Sequence, residues 1–422
     1  MPAEWRQSTW GDEITLEYGK GIRSYSDPIA PFRVFGSNGP IGWTLEPLAP
    51  GPGVILGRKG AYRGVRYSPQ PFFVIDTAYY VVPKTDLDMR WLYYAIVHQK
   101  LGEIDDGSPI PSTTRSAVYV RDVEVPPPTE QRAISSILGA LDDKIDQNRQ
   151  MNETLGAMVR AIFKDWFVDF GPVRAKMEGR APYLAPALWG LFPERLDDAE
   201  KPQSWETRPF GAFLLDNIGG DWGKDASDLD HNQAVSIIRG TDMPDLVDGG
   251  VGKVPTRYTT LSKLESRALM AGDIIIEVSG GSHTQPTGRS LLVTKSILDR
   301  FSNPVVCASF CRRFRPKSVA TSVLLAQHLS FLYSHGGTWE YQNQSTGIAN
   351  FQTTHFLASE KVMWPGERLC DAFAKQIEPI IRHSTRNESL TLAATRDLLL
   401  PKLMAGEIRV REAEKLLRQA AC

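Results

Sequence analysis

The residues best suited to binding chemistry lie in a glycine-rich basic segment near the start of the chain. The segment 57–66 places four cations and a tyrosine among three glycines, the five side chains being Arg58, Lys59, Tyr62, Arg63 and Arg66. Glycines let a backbone approach a ligand closely. Arginine and lysine contact phosphates, and arginine can bind guanine through two hydrogen bonds. The segment is a candidate for nucleic-acid contact, although a solvated basic loop would have the same composition.

Three further segments carry residues that are also candidates for nucleic-acid contact. The segment 279–289 is rich in hydrogen-bonding side chains, the segment 312–317 is basic, and the segment 341–344 carries amides, which suit adenine. The candidates are Ser282, His283, Gln285 and Arg289 in the first, Arg312, Arg313, Arg315 and Lys317 in the second, and Gln342 and Asn343 in the third. The sequence does not assign a base to any of them.

Signatures of catalysis are missing from the sequence. It contains no Gly-Lys-Ser/Thr phosphate loop, no His-Glu-x-x-His and no Gly-x-Ser-x-Gly. The glycines of segment 36–42 lack the spacing of a dinucleotide loop and predict a tight β-turn. Asp273 and Glu277 flank a strand-like run, but Ser279 stands where a metal nuclease would place lysine. A methyltransferase motif of the Asn/Asp-Pro-Pro-aromatic type is also absent. We expect no catalytic residues and no metal site.

Composition limits the class of protein. The 422 residues predict two or three domains, and 42% hydrophobic with 23% charged residues is typical of a soluble globular chain. The net charge of −1 argues against simple nucleic-acid binding, but local basic loops can offset an acidic remainder. No apolar run is long enough for a membrane span, and no secretory signal precedes the first domain. The four cysteines lack zinc-ligand spacing, which favours reduced thiols in a cytoplasmic protein.

Four pairs of similar segments occur in the same order and indicate an internal repeat. The spacing is 200 residues between Trp5 and Trp205, 219 between Gly53 and Gly272, 238 between Ile110 and Ile348, and 235 between Asn152 and Asn387. A spacing that grows and then holds predicts one duplicated unit with insertions in the first part of the second copy. Each unit begins with short strands between turn signals, with short helices predicted at 89–99 and 321–334, and ends in a long helix.

Heptad spacing predicts the first long helix, which follows three prolines at 126–128. Its seam consists of Ile134, Leu138, Leu141, Ile145, Asn148, Asn152, Leu155, Val159, Ile162 and Trp166. Polar residues on such a seam commonly fix register and partner. A weaker pattern predicts the second helix, with Phe373, Ile377, Ile380, Asn387, Ala394 and Leu398 on its seam.

The two long helices are predicted to pack antiparallel on each other, with the globular parts at opposite ends of a rod. The alternative is that each helix packs only on its own domain. Pro379 and Pro401 are expected to kink or end helical stretches.

Taken together, several motifs resemble the specificity subunit of type I restriction–modification systems. The resemblance rests on segments 35–42, 57–60, 75–77, 126–132, 141–145, 152–155, 162–170 and 398–407, and the block from Pro126 to Phe170 is its most specific part. It implies two target recognition domains that each bind half of a split double-stranded DNA site. It also implies helices that act as a spacer and as the docking surface for two modification (methyltransferase) subunits, and a restriction/translocase subunit can join them. S-adenosylmethionine would be bound by the partner, and this chain would hold no cofactor.

We therefore expect an α+β protein whose two recognition domains, β-rich with short helices, are separated by two long helices packed as an antiparallel coiled coil. The expected segments are recognition domain one at 1–125, the central helical spacer at 126–178, recognition domain two at 179–364 and the C-terminal helical spacer at 365–422. Two other classes stay open: a protein-binding adaptor without DNA contact, and a self-contained nuclease or methyltransferase with unrecognised motifs. The same subunit could also serve a system that only methylates.

Overall fold

The computed structural model describes residues 5–27, 29–60, 62–105, 107, 111–280, 285–345, 348–384, 388–410 and 412–413. The chain divides into two compact units, Met1–Lys144 with Leu392–Cys422, and Ile145–Thr391. Among the described residues, none of the helices combines the length and the apolar character that a transmembrane span requires.

The first unit contains a β-rich domain followed by the start of a long helix. Its strands are β1 Arg6–Thr9, β2 Ile14–Tyr18, β3 Phe32–Gly36, β4 Gly39–Thr44, β5 Gly53–Gly57, β6 Val65–Ser68, β7 Phe72–Val74, β8 Ala78–Pro83 and β9 Asp122–Val125. Its helices are α1 Trp10–Glu13, α2 Met89–His98, the 3-10 helix Leu101–Glu103, α3 Arg115–Tyr119 and the beginning of α4 Pro128–Phe167.

The second unit begins within α4 and contains a larger β-rich domain. Its helices are α5 Gly171–Met177, α6 Pro186–Trp189, α7 Met243–Val247, α8 Leu261–Arg267, α9 Lys295–Leu298, α10 Val319–Ser334, α11 Thr353–Ser359, α12 Glu367–Ser384 and the beginning of α13 Glu388–Met404, with 3-10 helices at Phe210–Phe213, Gly240–Asp242 and Gly337–Tyr341. Its strands are β10 Glu206–Pro209, β11 Leu214–Gly219, β12 Gln233–Ile238, β13 Thr256–Thr259, β14 Ile274–Glu277, β15 Ser279–Gly280, β16 Ser290–Leu292, β17 Val305–Cys307, β18 Cys311–Pro316, β19 Gln342–Ser345, β20 Ile348–Phe351 and β21 Lys361–Trp364.

Matching sheets in the two domains bear out the internal repeat. The first domain has sheets of order β2-β8-β5-β6 and β4-β3-β7, and the second has β11-β18-β14-β16 and β13-β12-β17 in the corresponding places. In each three-stranded sheet one pair is parallel, β3 with β7 and β12 with β17. Each domain also pairs its first strand with its last, β1 with β9 and β10 with β21. The second domain has an additional sheet, β15-β20-β19.

The structural register corrects the repeat spacing by one residue at the central strand. In β5, Val54 and Leu56 face the main core and Ile55 faces a second, smaller cluster. In β14, Ile274 and Ile276 face the main core of their unit and Ile275 faces the second cluster. Ile55 therefore corresponds to Ile275, 220 residues later, and not to Ile274 as the glycine match implied. A shift of one residue reverses the faces of a strand, so the pattern of burial decides the register.

The predicted local elements were largely confirmed. The glycine segment 36–42 forms the β3–β4 hairpin, with its turn at Ser37 and Asn38. The short helices lie at α2 and α10, and the long helix begins at the last of its three prolines, Pro128. Proline at the first helical position costs little because its missing N–H would have no partner inside the helix.

Within each unit, α4 runs antiparallel to a later helix, as the heptad pattern predicted. In the first unit Asp142 binds Arg396 at 2.7 Å, and Glu130, which lies earlier in α4, binds the later Arg409 at 2.7 Å. In the second unit Asn148 binds Glu388 at 3.1 Å, and Phe163, which lies later in α4, has its ring centroid 6.3 Å from that of the earlier Phe373.

The seam residues Ile134, Leu138, Leu141 and Ile145 are all at most 7% exposed, and Leu155 is half-buried. The buried four are thus covered within this chain. Any surface that α4 offers to another subunit has to use different side chains.

The two asparagines of the seam make polar contacts across the second unit. Asn148 Nδ2 donates to Glu388 Oε2 at 3.1 Å, and Asn152 Nδ2 donates to the backbone oxygen of Asp248 at 3.4 Å. Asn387, their predicted counterpart, lies outside the described residues. Amide contacts of this kind restrict the axial position of a helix pair, because a shift by one turn would leave the amides unpaired.

The C-terminal helix differs from its predicted pattern. Ala394 and Leu398 were expected on the seam, but Ala394 is exposed and Leu398 is 59% exposed, whereas Leu399 is 2% exposed. The predicted heptad phase therefore does not describe the buried face of α13. Pro379 and Pro401 were expected to kink or end helical stretches, and neither ends its helix, since each lies inside it. Burial of Ile377 in the core helps to hold α12 around Pro379.

The described cysteines are buried and unpaired. Cys307, Cys311 and Cys370 are free thiols, and burial raises the pKa of Cys307 and Cys370 to about 12. Such thiols act as small apolar core residues. Cys422 lies outside the described residues.

Adjacent leucines in α13 provide a test of its buried face. Leu399→Ala should lower the free energy of unfolding by about 2–5 kcal/mol, because it leaves a cavity in the first unit's core. Leu398→Ala removes the same group from an exposed position and should change it by less than about 0.5 kcal/mol. Urea unfolding monitored by circular dichroism measures both. Equal effects would contradict the assigned face.

Glu13 provides a pH-dependent test of the first domain. This carboxylate is 1% exposed and accepts hydrogen bonds from Arg6 (2.5 and 3.0 Å), Ser8 (2.5 Å) and Thr85 (2.5 Å). Burial alone would raise its pKa, but these donors outweigh burial and lower the pKa to about 2 from an ordinary 4.5. The unfolded chain therefore takes up the proton first as the pH falls.

The stabilisation by Glu13 is complete above pH 4.5 and should be lost as the pH falls from there towards 2. In Glu13→Gln that part of the pH dependence should disappear, whereas Glu46→Gln, at an exposed site, should retain it. Urea midpoints across this pH range measure the difference. Parallel curves for wild type and Glu13→Gln would show that the carboxylate is not the titrating group.

Candidate nucleic-acid interface

Loops of the first domain converge around the β3–β4 turn. The backbone oxygen of Ser37 accepts from Gly64 N at 2.8 Å, and the Ser37 hydroxyl donates to Thr77 O at 2.5 Å and accepts from Lys59 N at 3.2 Å. One serine thus joins the segments 37–38, 57–64 and 75–77, which we call the loop cluster.

A glycine is required where the basic segment enters the loop cluster. A Cβ atom on Gly57 would lie 2.2 Å from the backbone oxygen of Ser37, a separation that side chains do not tolerate. The glycine therefore allows the two segments to approach closely. This packing fixes the position of the backbone that leads into Arg58 and Lys59.

Three of the predicted cations remain available for a ligand. Arg58 stacks over the Tyr18 ring at 4.8 Å and donates to Asp76 O at 3.1 Å, Arg66 donates to Asn38 O at 3.2 Å, and Lys59 is exposed. Within the described parts of the chain, none of these three forms a salt bridge. Their charge is therefore not neutralised locally, as phosphate contact requires.

Tyr62 and Arg63 have different surroundings. Tyr62 is 76% exposed, an unusual position for a large aromatic side chain in a folded domain. Arg63 donates to the backbone oxygens of Gly60, Gly102 and Ile104 at 3.0, 3.1 and 2.9 Å. These bonds use three of its five donors to hold the loop, so Arg63 has a structural task in this conformation.

The corresponding loops of the second domain carry uncharged polar groups. Gln285 Nε2 donates to the Tyr333 hydroxyl at 3.1 Å, and Arg289 donates to Gly240 O at 3.1 Å. Gln342 Oε1 accepts from Thr287 N at 2.9 Å, which occupies the acceptor of this amide. Ser282 and His283 lie outside the described residues.

The sheet β15-β20-β19 adds one polar residue that sequence reasoning missed, Asn350, beside the predicted Asn343. Asn343 pairs with Asn350 across β19 and β20, and both side chains are exposed. Ser279 Oγ donates to Asn350 Oδ1 at 2.6 Å, which leaves the amide donors of Asn350 free of this bond. In the first domain the isolated bridge between Lys59 and Ser112 occupies the same place. The repeat spacing of 238 could have found Asn350 as the counterpart of Ser112.

The basic cluster 312–317 is engaged within the protein. Arg313 is 3% exposed and binds Asp216 at 2.7 Å, and Arg315 binds both oxygens of Asp273 at 2.8 Å. Arg312 and Lys317 donate to Asn217 and to a backbone oxygen. In this conformation Arg313 and Arg315 are therefore neutralised by carboxylates of the protein. Arg313 and Arg315 lie two residues apart in β18, so both side chains extend from the same face of the strand towards carboxylates on neighbouring segments.

The two carboxylates at the ends of β14, Asp273 and Glu277, have different neighbours. Asp273 is held by Arg315, while Glu277 is 8% exposed and lies against Gly240, whose Cβ would come within 2.4 Å of the Glu277 carboxylate. Burial raises the pKa of Glu277, and the positive charge of Arg289 opposes the rise. No group of three potential metal ligands occurs among the residues that the structure describes.

Comparisons with known proteins agree with this geometry. The family model described as the type I restriction modification DNA specificity domain matches residues 45–157. These residues include the basic segment of the loop cluster and most of α4. The chain is 22% identical over 351 residues to the type I restriction enzyme MjaIX specificity subunit of Methanocaldococcus jannaschii, covering 79% of this chain and 72% of that protein. It is 25% identical over 354 residues to the type I restriction enzyme HindI specificity subunit of Haemophilus influenzae, covering 71% of each.

A solved structure shares the fold. The crystal structure of a type I restriction–modification system S subunit from M. genitalium matches with a TM-score of 0.52 at 15% identity, covering 94% of this chain and 96% of that one. Two β-rich domains with the same strand order, the family-model match and the two similar sequences lead to one conclusion. The chain is similar in sequence to the specificity subunits of type I restriction–modification systems.

Proposed function

We propose that this chain selects the DNA sequence on which a type I complex acts, with each recognition domain contacting one half of a split site. The observation that carries the proposal is a repeated scaffold with different side chains at equivalent loop positions. By the register of β5 and β14, Arg58 and Lys59 correspond to Val278 and Ser279. One scaffold with two sets of contact residues suits two half-sites of different sequence, much as dimers contact two half-sites at fixed spacing.

The unpaired cations of the first domain would position DNA by its phosphates. Arg58, Lys59 and Arg66 project from a loop cluster that is fixed by backbone hydrogen bonds, so little ordering is needed on binding. In the second domain the exposed amides Asn343 and Asn350 are suited to base edges, adenine above all. Phosphate contacts hold register, and base contacts give specificity.

We further propose that the helices serve as the spacer and as the docking surface for modification subunits, two of them in the full complex. The proposed segments are 1–125, 126–178, 179–364 and 365–422. Because the apolar seam of α4 is buried, docking would use outward side chains such as Met151 and Met158, which are 50% and 48% exposed. Methyl transfer from S-adenosylmethionine would take place on the partner, and a restriction/translocase subunit would add cleavage. This chain would supply no catalytic group.

A methylation map of the host genome tests the function. Deletion of this gene should abolish adenine methylation at one split motif, and the intact gene supplied elsewhere should restore it. Long-read sequencing detects the modified adenines directly. An expressed modification subunit with an unchanged map after deletion would contradict the proposal.

A variant that carries Asn343→Ala and Asn350→Ala should change the sequence preference in only one half of the motif.

The ion pairs of the structure predict which arginines and lysines contribute to DNA binding. Arg58→Ala and Lys59→Ala should each weaken duplex binding, lower the slope of log affinity against log salt by about one, and leave unfolding unchanged. Arg315→Ala should show the opposite pattern, with a loss of about 3 kcal/mol in unfolding free energy, because it leaves Asp273 buried without its partner. Salt-dependent binding and urea unfolding of the same preparations separate the two classes. Equal salt slopes in wild type, Arg58→Ala and Lys59→Ala would remove this loop from the interface.

A further inference from the structure

A pair of arginines flanks a pair of tyrosines beside the loop cluster of the first domain. The guanidinium carbon of Arg115 lies 4.1 Å from the ring centroid of Tyr18, and that of Arg58 lies 4.8 Å from the same centroid. Both also approach Tyr79, at 5.9 and 5.8 Å. The two rings lie 5.1 Å apart. Stacking on aromatic rings holds a guanidinium in place without consuming its N–H donors.

The cluster has more donors than the protein satisfies. Arg115 Nε is buried and has no hydrogen-bond partner in the described structure, and the side chain as a whole is 34% exposed. Its nearest carboxylate oxygen, on Glu17, is 3.7 Å away, which exceeds hydrogen-bonding distance. Among the described residues Arg58 makes one side-chain hydrogen bond, to a backbone oxygen. Two cations face one carboxylate, so the cluster retains positive charge.

The tyrosines add neutral donors at the same place. Tyr18 is 45% exposed and Tyr79 is buried. Burial, followed by hydrogen bonding with Tyr18, raises the pKa of Tyr79 to about 12. The phenol therefore stays protonated at neutral pH and adds no negative charge to the cluster.

The cluster is continuous with the loops already assigned to DNA. The backbone oxygen of Arg58 accepts from Thr113 N at 2.9 Å, and Thr113 lies two residues before Arg115. The chain segment that positions Arg115 is therefore bound to the basic loop itself. Arg115 was not among the residues predicted from the sequence, since no charge pattern marks it.

The second domain replaces every member of this cluster. The strand pair Tyr18–Tyr79 corresponds to Gly219–Arg312, and Arg58 corresponds to Val278. Arg115, the first residue of α3, corresponds to Thr353, the first residue of α11. The shared scaffold therefore does not need the cluster to fold, which favours a ligand-binding task in the first domain.

We propose that Arg58 and Arg115, stacked on Tyr18 and Tyr79, clamp one backbone phosphate of the DNA at the first half-site. This inference rests on the proposed function and deepens it. A phosphate fits because it accepts from several donors at once and carries the charge that two guanidinium groups compensate. The contact fixes the register of DNA on the domain and carries no sequence information of its own.

The test measures binding of the full-length chain to duplexes that contain its methylation motif and to scrambled duplexes, from about 50 to 200 mM salt. Arg115→Ala should weaken binding to both duplexes alike, by about tenfold, and lower the salt slope by about one. Arg132→Ala, an exposed arginine on α4, is the charge-matched control and should leave both unchanged. Thr353→Ala is the position-matched control in the second domain.

A second measurement locates the contacted phosphate with the wild-type protein. Neutral methylphosphonate groups are placed one at a time along the duplex, and one position should weaken wild-type binding by at least the loss of about tenfold expected for Arg115→Ala. A folded Arg115→Ala protein should lose less affinity than the wild type at that position, because only Arg58 still contacts that phosphate. If no single position has this effect, the clamp is overturned.

Other outcomes separate the clamp from the function. An unchanged salt slope in folded Arg115→Ala overturns the clamp alone, provided that the wild type binds its motif. A loss confined to the motif duplex overturns the phosphate assignment in favour of a base contact. Failure of the wild type to bind any duplex in a salt-dependent manner overturns the proposed function itself.

Discussion

Each recognition domain depends on the pairing of its first strand with its last. In the first domain β1 pairs with β9 over four residues, and in the second β10 pairs with β21 over four. The backbone bond from Trp10 N to Arg121 O extends the closure at 2.9 Å. The two ends of a domain therefore meet immediately before a long helix. A domain whose ends meet can vary internally while its connection to the helices stays the same.

This closure explains how one scaffold tolerates different loops. The four-stranded and three-stranded sheets keep their order in both domains, and the fully buried strands β5 and β14 keep their alternation between two cores. The insertions of the second domain lie between strands, with α7 between β12 and β13 and α8 between β13 and β14. Conserved packing and variable connections are what a scaffold for different DNA sequences requires.

The long helices were easier to predict than the site. A 3.5-residue period over several heptads identifies a buried face without knowledge of the partner, and Ile134, Leu138 and Leu141 were correctly assigned. The method failed at Leu398, where the heptad phase taken from the preceding helix points one residue away from the buried Leu399. The repeat was visible in the sequence, but its register at Ile55 required the observed burial.

Charge composition was a poor guide to the interface because it does not distinguish paired from unpaired cations. Arg313 and Arg315 appear as basic as Arg58 in the sequence, yet they bind Asp216 and Asp273. Those carboxylates also keep the net charge of the chain near zero, at −1. A protein whose charges sum to nearly zero can still bind DNA where unpaired cations lie together at one surface, since phosphate contact depends on local charge. Arg58 and Lys59 meet this condition in the described structure, and a neutral chain is therefore no argument against DNA binding.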